Sequence, residues 1–378
     1  MIQKKWLNLC VGVCAAMMLV ACSSSKRKVN EPAPLPEYVA ELQVQQIWRA
    51  ELGKVGFPLV PKVVGTQVIL AASNGTVMAL EYDTGRVVWQ ASAGNELTAG
   101  VGSNGRITAV VTRNNDLVAF DWQGAVLWRA RVAAQVLTPP VVSGGRVFVN
   151  ATDRSIQAYD AANGAGLWRQ QQNIMDSLTL RQNGVLDTYG NTLIVGLSAN
   201  LYAVDPDTGV PHWGLPIGNP RGSNEIDRLA DLVGGVGRNG STLCARSYQN
   251  AISCVEAGSG VLWSRKSDGS TGVEVDGQNV YAVESDGRIL ALNQSTGDVV
   301  WTNESFKWRE LTAPLALGAR TLVIGDSQGN VHFLSRQDGH VMGRLTTDRS
   351  GIAATPVTIG DVLLVVTKGG AVYGFRPQ

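Results

Sequence analysis

The sequence predicts an all-β protein: an eight-bladed β-propeller of Trp-docked, four-stranded blades, closed by pairing N-terminal with C-terminal strands. Three observations predict it. A phrase of strand, glycine turn and strand recurs eight times. The tryptophans that end most copies advance by roughly 40 residues, the length of one propeller blade. A closing strand near the N-terminus has no strands before it, and the last copy at the C-terminus lacks its closing strand.

Residues 1–21 read as a secretory signal. Lys4 and Lys5 supply the positive start, and residues 7–20 supply the apolar run. The run is too short, and too abruptly followed by polar residues, for a membrane span. It ends in Leu19-Val20-Ala21-Cys22, which resembles the lipobox of bacterial lipoproteins and makes Cys22 the expected lipidated N-terminus. Several acyl chains on one cysteine make a stable anchor, since each buried methylene adds about 0.8 kcal/mol. Ser23, rather than Asp, follows the cysteine. By resemblance to lipoprotein sorting rules, this favours the outer membrane. Residues 22–45 are expected to form a flexible tether, SSSKRK followed by EPAPLPEY. Prolines 32, 34 and 36 stiffen it and forbid helix. The propeller is expected over residues 46–378.

Copies of the phrase end in Trp89, Trp128, Trp168, Trp213, Trp263 and Trp301. A seventh places Gly343 where Trp is expected, and an eighth, GGAVYGF, runs out at Gln378. The missing strand is QIWRA at residues 46–50, with Trp48 in the closing position. Circular closure removes the two sheet edges that a linear array would expose. Each tryptophan is expected to bury about 150–250 Å² between neighbouring blades. The glycine a few residues earlier supplies the positive φ of the hairpin turn.

Composition narrows the function. Hydrophobic residues make up 44% of the 378, enough for a large core. A formal net charge of +1 provides no long-range field for nucleic acid. The three histidines, at 212, 332 and 340, show no metal-ligand spacing. Of five cysteines, Cys10 and Cys14 leave with the signal and Cys22 is lipidated. Cys244 and Cys254 then flank a plausible hairpin, either as a cross-strand disulfide or as two small buried residues.

Two GxGxxG matches, at residues 100–105 and 235–240, each run into a strand rather than a helix. They are therefore read as hairpin turns and not as dinucleotide loops. No nucleophile elbow, HExxH or phosphate-binding loop is present, and the acidic residues sit mostly in turns. No catalytic residue and no cofactor is assigned.

The repeat is interrupted twice, in the intervals from Trp168 to Trp213 and from Trp213 to Trp263. The extra residues follow the Trp strand both times, so both insertions are expected on one face, on adjacent blades. The first contains Asp176-Ser177-Leu178-Thr179-Leu180-Arg181. The second contains the charged run 221–231, in which Ile226 and Leu229 are spaced for one side of a short helix. Apolar residues beside arginine on a long loop fit a protein-binding patch, the alternative being a solvated loop.

At these residues the chain resembles the BamB family, the propeller lipoproteins of the bacterial outer-membrane β-barrel assembly (BAM) complex. The resemblance covers signal, tether, eight repeats and both insertions. Its most specific marks are Leu-x-Leu-Arg at 178–181 and Arg-Gly-x-x-Glu-Ile-Asp-Arg-Leu-x-Asp at 221–231. It implies a non-enzymatic scaffold that binds the periplasmic region of BamA and assists insertion of outer-membrane β-barrels, with unfolded barrel substrates as further partners. The contact role carries over to Leu178, Leu180, Arg181 and Asp231, and to Glu225, Asp227 and Arg228 in the same run. The family's usual second Asp, two residues after the first, is Val233 here. Two rivals remain. A quinoprotein dehydrogenase shares the eight-bladed plan, but requires a catalytic Asp beside Ca²⁺ and often a Cys-Cys pair, which this chain lacks. A scaffold for another envelope partner is the other.

Overall fold

A computed structural model describes residues 30–171 and 178–377. The expected signal and Cys22 lie outside them, as do the first part of the tether and Asp176-Ser177. The described residues form eight antiparallel four-stranded sheets, and no helix occurs among them. Blades 1 to 7 span residues 62–92, 102–131, 141–171, 186–216, 232–266, 274–303 and 315–346. Blade 8 combines residues 357–377 with the N-terminal strand Val44–Glu51, which starts two residues earlier than the sequence indicates. Val44 pairs with Pro377 and Glu51 with Ala371, closing the ring.

Within each blade the strands run in order from the axis outwards, and the innermost strands of neighbouring blades adjoin one another. The second and third strands are buried on both sides, as in Gln67–Ala71 and Thr76–Glu81 of blade 1. Each apolar cluster lies between blades rather than within one. Ile69, Val77 and Trp89 of blade 1, for example, pack against Val110, Val118 and Phe120 of blade 2. Middle strands therefore read as continuous apolar runs, since both faces are covered. Turns between first and second strands, and between third and fourth, share one face of the disc (the turn face). The second-to-third turns and the connections between blades share the other (the loop face). Both GxGxxG matches fall on an innermost strand and its turn, with Gly105 and Gly240 at positive φ.

The tryptophan on each outer strand docks on the third-to-fourth turn of the next blade. Trp48 Nε1 donates to the Tyr82 carbonyl at 2.8 Å, Trp128 to Ala161 at 2.8 Å and Trp263 to Gln294 at 2.7 Å. The turn glycine lies flat against the ring. A Cβ on Gly124 would sit 2.7 Å from Trp89, so this glycine provides clearance as well as its φ of +85°. Across the blade each tryptophan faces a small residue: Ala79, Ala119, Ala158, Ala203, Cys254, Ala291 or Gly374. In blade 7 the sizes reverse, with Gly343 facing Phe333.

The vacancy at position 343 has a topological cause. A tryptophan there would dock on the third-to-fourth turn of blade 8. Blade 8 has no such turn, because its third and fourth strands are the two ends of the chain. Leu42, just before the N-terminal strand, packs beside Phe333, Tyr373 and Phe375 in that place.

Cys244 and Cys254 are direct partners on the second and third strands of blade 5. Their Cα atoms are 4.1 Å apart and their sulfurs are joined. A link closing so short a loop contributes about 2–3 kcal/mol in the chain-entropy picture. Alanine suits position 254, as five other blades carry it opposite Trp. The Cys244→Ala/Cys254→Ala variant is therefore expected to unfold at lower denaturant with native packing otherwise kept. Identical midpoints for the oxidised protein and this variant would show that the bond adds nothing.

Candidate functional site

Both insertions leave the loop face, between blades 3 and 4 and between blades 4 and 5. Their geometry is organised by an ion pair that joins residues 77 apart in sequence. Arg154 sits in the second-to-third turn of blade 3 at φ +66°. Its Nη1 donates to Asp231 Oδ1 at 2.5 Å, and its Nη2 donates to the Leu178 carbonyl at 2.6 Å. The other carboxylate oxygen, Asp231 Oδ2, accepts the Leu180 N–H at 2.9 Å. Both charges are 9% exposed. Asp231 is further fixed through its own carbonyl, which accepts the Tyr248 N–H at 2.9 Å. The backbone on either side is fixed as well. Ser247 Oγ donates to the Ala230 carbonyl at 2.6 Å, and the Leu232 N–H donates to the Ser198 carbonyl at 3.0 Å.

This arrangement separates the expected site residues into two groups. Leu178 is 41% exposed, Leu180 is half-buried and Arg181 is exposed. Asp231 lies beneath them, and each of its carboxylate oxygens already bonds within the chain. It acts on the loop from behind. Val233 is buried and pairs with Arg246 across the strands, so nothing at that position reaches solvent.

The 221–231 run forms a single turn over residues 225–228 where the spacing predicts a short helix. Asn224 closes it, accepting the Asp227 N–H at 2.9 Å and donating to the Asp227 carboxylate at 2.8 Å. The backbone enters through Gly222 at φ +144°, packed against Asp227, and is committed to blade 5 by Ala230. So short a segment cannot repay helix nucleation. The turn presents Ile226, 74% exposed, with Asp227 exposed and Glu225 and Arg228 half-buried.

Arg181 also lines the mouth of an axial funnel of about 760 Å³, together with Phe57, Leu59, Asn183, Glu274 and Lys368. Glu274 is the one acidic side chain in that lining, and burial pushes its carboxyl upwards. Among the described residues no three His, Cys, Asp or Glu side chains gather to hold a metal. This lining does not fit a Ca²⁺–quinone pair.

Sequence reasoning missed two residues. The first is Arg154. The aligned turn position carries Gly75, Asn115, Gly287, Gly329 and Gly370 elsewhere, so an arginine there was the available signal. The second is Arg246, fully buried at the boundary of blades 5 and 6. It bonds the Val283 carbonyl and lies 3.6 Å from Glu284. Burial lowers its guanidinium to about 10. No sequence signal marked it.

Comparison with known proteins gives one family. A family model described as outer membrane protein assembly factor BamB matches residues 45–303. An outer membrane protein assembly factor BamB from Burkholderia pseudomallei is 37% identical, covering 97% of both chains. One from Bordetella pertussis is 35% identical, covering 95% of this chain and 94% of the relative. Among solved structures, BamB from Moraxella catarrhalis superposes with a TM-score of 0.80 at 26% identity, over 88% of this chain and all of that one. A quinohemoprotein alcohol dehydrogenase from Pseudomonas putida HK5 superposes at 0.69 with 13% identity, over 88% of this chain and 76% of that one, a likeness of fold alone.

Proposed function

Because the chain belongs to the BamB family of outer membrane protein assembly factors, we propose that it is a non-enzymatic scaffold that docks on BamA through its loop face. The family takes part in assembling outer-membrane proteins and acts at the outer membrane. The finer reading concerns anchor and partner. Cys22 carries the lipid, and the propeller stands on the periplasmic side. Leu178, Leu180 and Arg181 meet the periplasmic region of BamA, with the turn of Glu225, Ile226, Asp227 and Arg228 beside them. Asp231 holds this surface in shape. Unfolded barrel substrates are further partners of the same assembly, and no cofactor takes part.

The observation that carries this reading is the Arg154–Asp231 clamp. Here both groups of the pair bond the Leu178–Leu180 backbone, and an apolar and a cationic side chain are left exposed on one face. Fixing a loop before binding removes part of the ordering cost of association.

The test is co-purification from detergent-solubilised membranes with wild type and Arg181→Glu. Arg181 is exposed, so reversing its charge leaves the fold intact, while it opposes an acidic or buried partner surface. Wild type is expected to bring down BamA, and the folded variant at least tenfold less. Equal recovery removes Arg181 from the contact. Failure of wild type to recover BamA overturns the partner.

A further inference from the structure

The segment before the closing strand is fastened along its length. Residues 33–42 follow the outer strand Val341–Thr346 of blade 7, the blade with Gly343 in place of Trp. On the loop face, the Ala33 N–H donates to the Lys307 carbonyl at 2.9 Å, and Arg309 Nη1 donates to the Ala33 carbonyl at 2.7 Å. Midway, Arg344 Nη2 donates to the Pro36 carbonyl at 2.8 Å, and its guanidinium lies 5.1 Å from the centre of the Tyr38 ring. On the turn face, the Glu41 N–H donates to the Met342 carbonyl at 2.9 Å, and the Glu41 carboxylate meets His340 Nε2 at 3.0 Å.

The two arginines are positioned from inside the blade. Arg309 pairs with Asp326 through Nε at 2.9 Å and Nη2 at 2.8 Å. Arg344 Nε donates to His332 Nδ1 at 3.3 Å, and His332 Nε2 meets Asp326 at 3.0 Å. Burial pushes the Asp326 carboxyl up, but bonds from His332 and Asn330 outweigh it and hold it well below the usual carboxylate range. The prolines at 34 and 36 pre-set an extended path and carry no N–H, so the segment presents carbonyls to the arginines.

The direction of the segment matters. The closing strand begins at Val44 on the turn face, where it pairs with Pro377. Left free, the preceding chain would depart from that face. Instead it crosses the thickness of the disc and reaches Lys307 and Arg309, in the connection between blades 6 and 7 on the loop face.

We propose that residues 33–42 are a strap that carries the anchored end of the chain from the turn face, across blade 7, to the loop face. The strap thereby turns the face bearing residues 178–181 and 221–231 towards the membrane. The inference rests on the lipid anchor at Cys22. At about 3.5 Å per extended residue, the chain from Cys22 to Ala33 reaches no more than about 40 Å, against roughly 75 Å to Val44. The strap shortens the leash by nearly half and moves its attachment point to the docking face.

The experiment uses the full-length lipidated protein in phosphatidylethanolamine–phosphatidylglycerol vesicles. A dye is placed on the loop face at Ser223→Cys or on the turn face at Ser295→Cys, with an energy acceptor in the bilayer. Amide exchange of residues 33–42 is followed in parallel. Energy transfer is expected to be stronger from 223 than from 295, with slow exchange in the strap. Tyr38→Ser lies on the strap, where its ring meets Arg344, and spares the core between the blades. It is expected to speed strap exchange at least tenfold and to abolish the difference between the dyes. Arg344→Ala should act in the same direction. Strap exchange as fast in wild type as in these variants overturns the strap. Equal transfer from both faces in wild type overturns the orientation. A protein that stays in the aqueous phase overturns the anchor, and exchange still decides the strap.

Discussion

Replacing Asp231 with alanine is expected to cost about 3–5 kcal/mol, because Arg154 is left buried with its charge uncompensated. Thermal unfolding should fall by on the order of 5–10 °C. The loss of the Leu180 N–H bond and the shift of Arg154 away from the Leu178 carbonyl free the 178–181 segment. BamA recovery should therefore fall at least tenfold. The double variant Arg154→Leu/Asp231→Leu separates the two effects. Removing both charges together returns most of the stability, since a buried pair exchanged for apolar residues is often close to neutral. It does not return the two backbone bonds that hold the loop, so binding stays weak. Recovery of binding along with stability in the double variant would show that the clamp serves the fold alone.

Trp48→Ala should be the most damaging of the tryptophan substitutions, at about 3–5 kcal/mol. Trp48 lies on the strand that closes the ring. Its Nε1 bonds the Tyr82 carbonyl, and its ring lies against Gly85 of blade 1 and Gly374 of its own blade. The alanine variant loses the seal between the first and last blades, and the N-terminal strand should then be cut by protease faster than any other part of the propeller. Trp213→Ala is the control. Trp213 is only half-buried, and the turn glycine it faces, Gly258, leaves it about an ångström more room than its counterparts do, with a built Cβ 3.5 Å away. A smaller drop in denaturant midpoint is expected there. Equal losses at both positions would mean that the ring gains nothing special at its seam.

Both expectations depend on contacts that a single sequence displays unequally. The repeat was legible because each blade is built from near neighbours in the chain. Strand, turn glycine and Trp lie within about 15 residues, and their spacing repeats. The vacancy at Gly343 was visible too, but its cause was not. It became clear only when the ring closed and blade 8 proved to lack the turn on which a tryptophan would dock. The spacing of Ile226 and Leu229 indicated helix, yet the segment makes one turn. Local periodicity cannot register that Gly222 and the entry into blade 5 leave it too little length.

The sequence by itself determined the fold, the closure and the two segments that break the repeat, because these follow from residue type and local period. Only the tertiary structure decided how those segments are held. Arg154 meets Asp231 across 77 residues, and Arg309 meets Ala33 across 276. In the linear chain neither spacing nor composition marks these residues as partners. They become partners because closing eight blades into a ring brings together connections that the sequence keeps far apart, and because a charge buried there must find its counterpart wherever the ring has placed it.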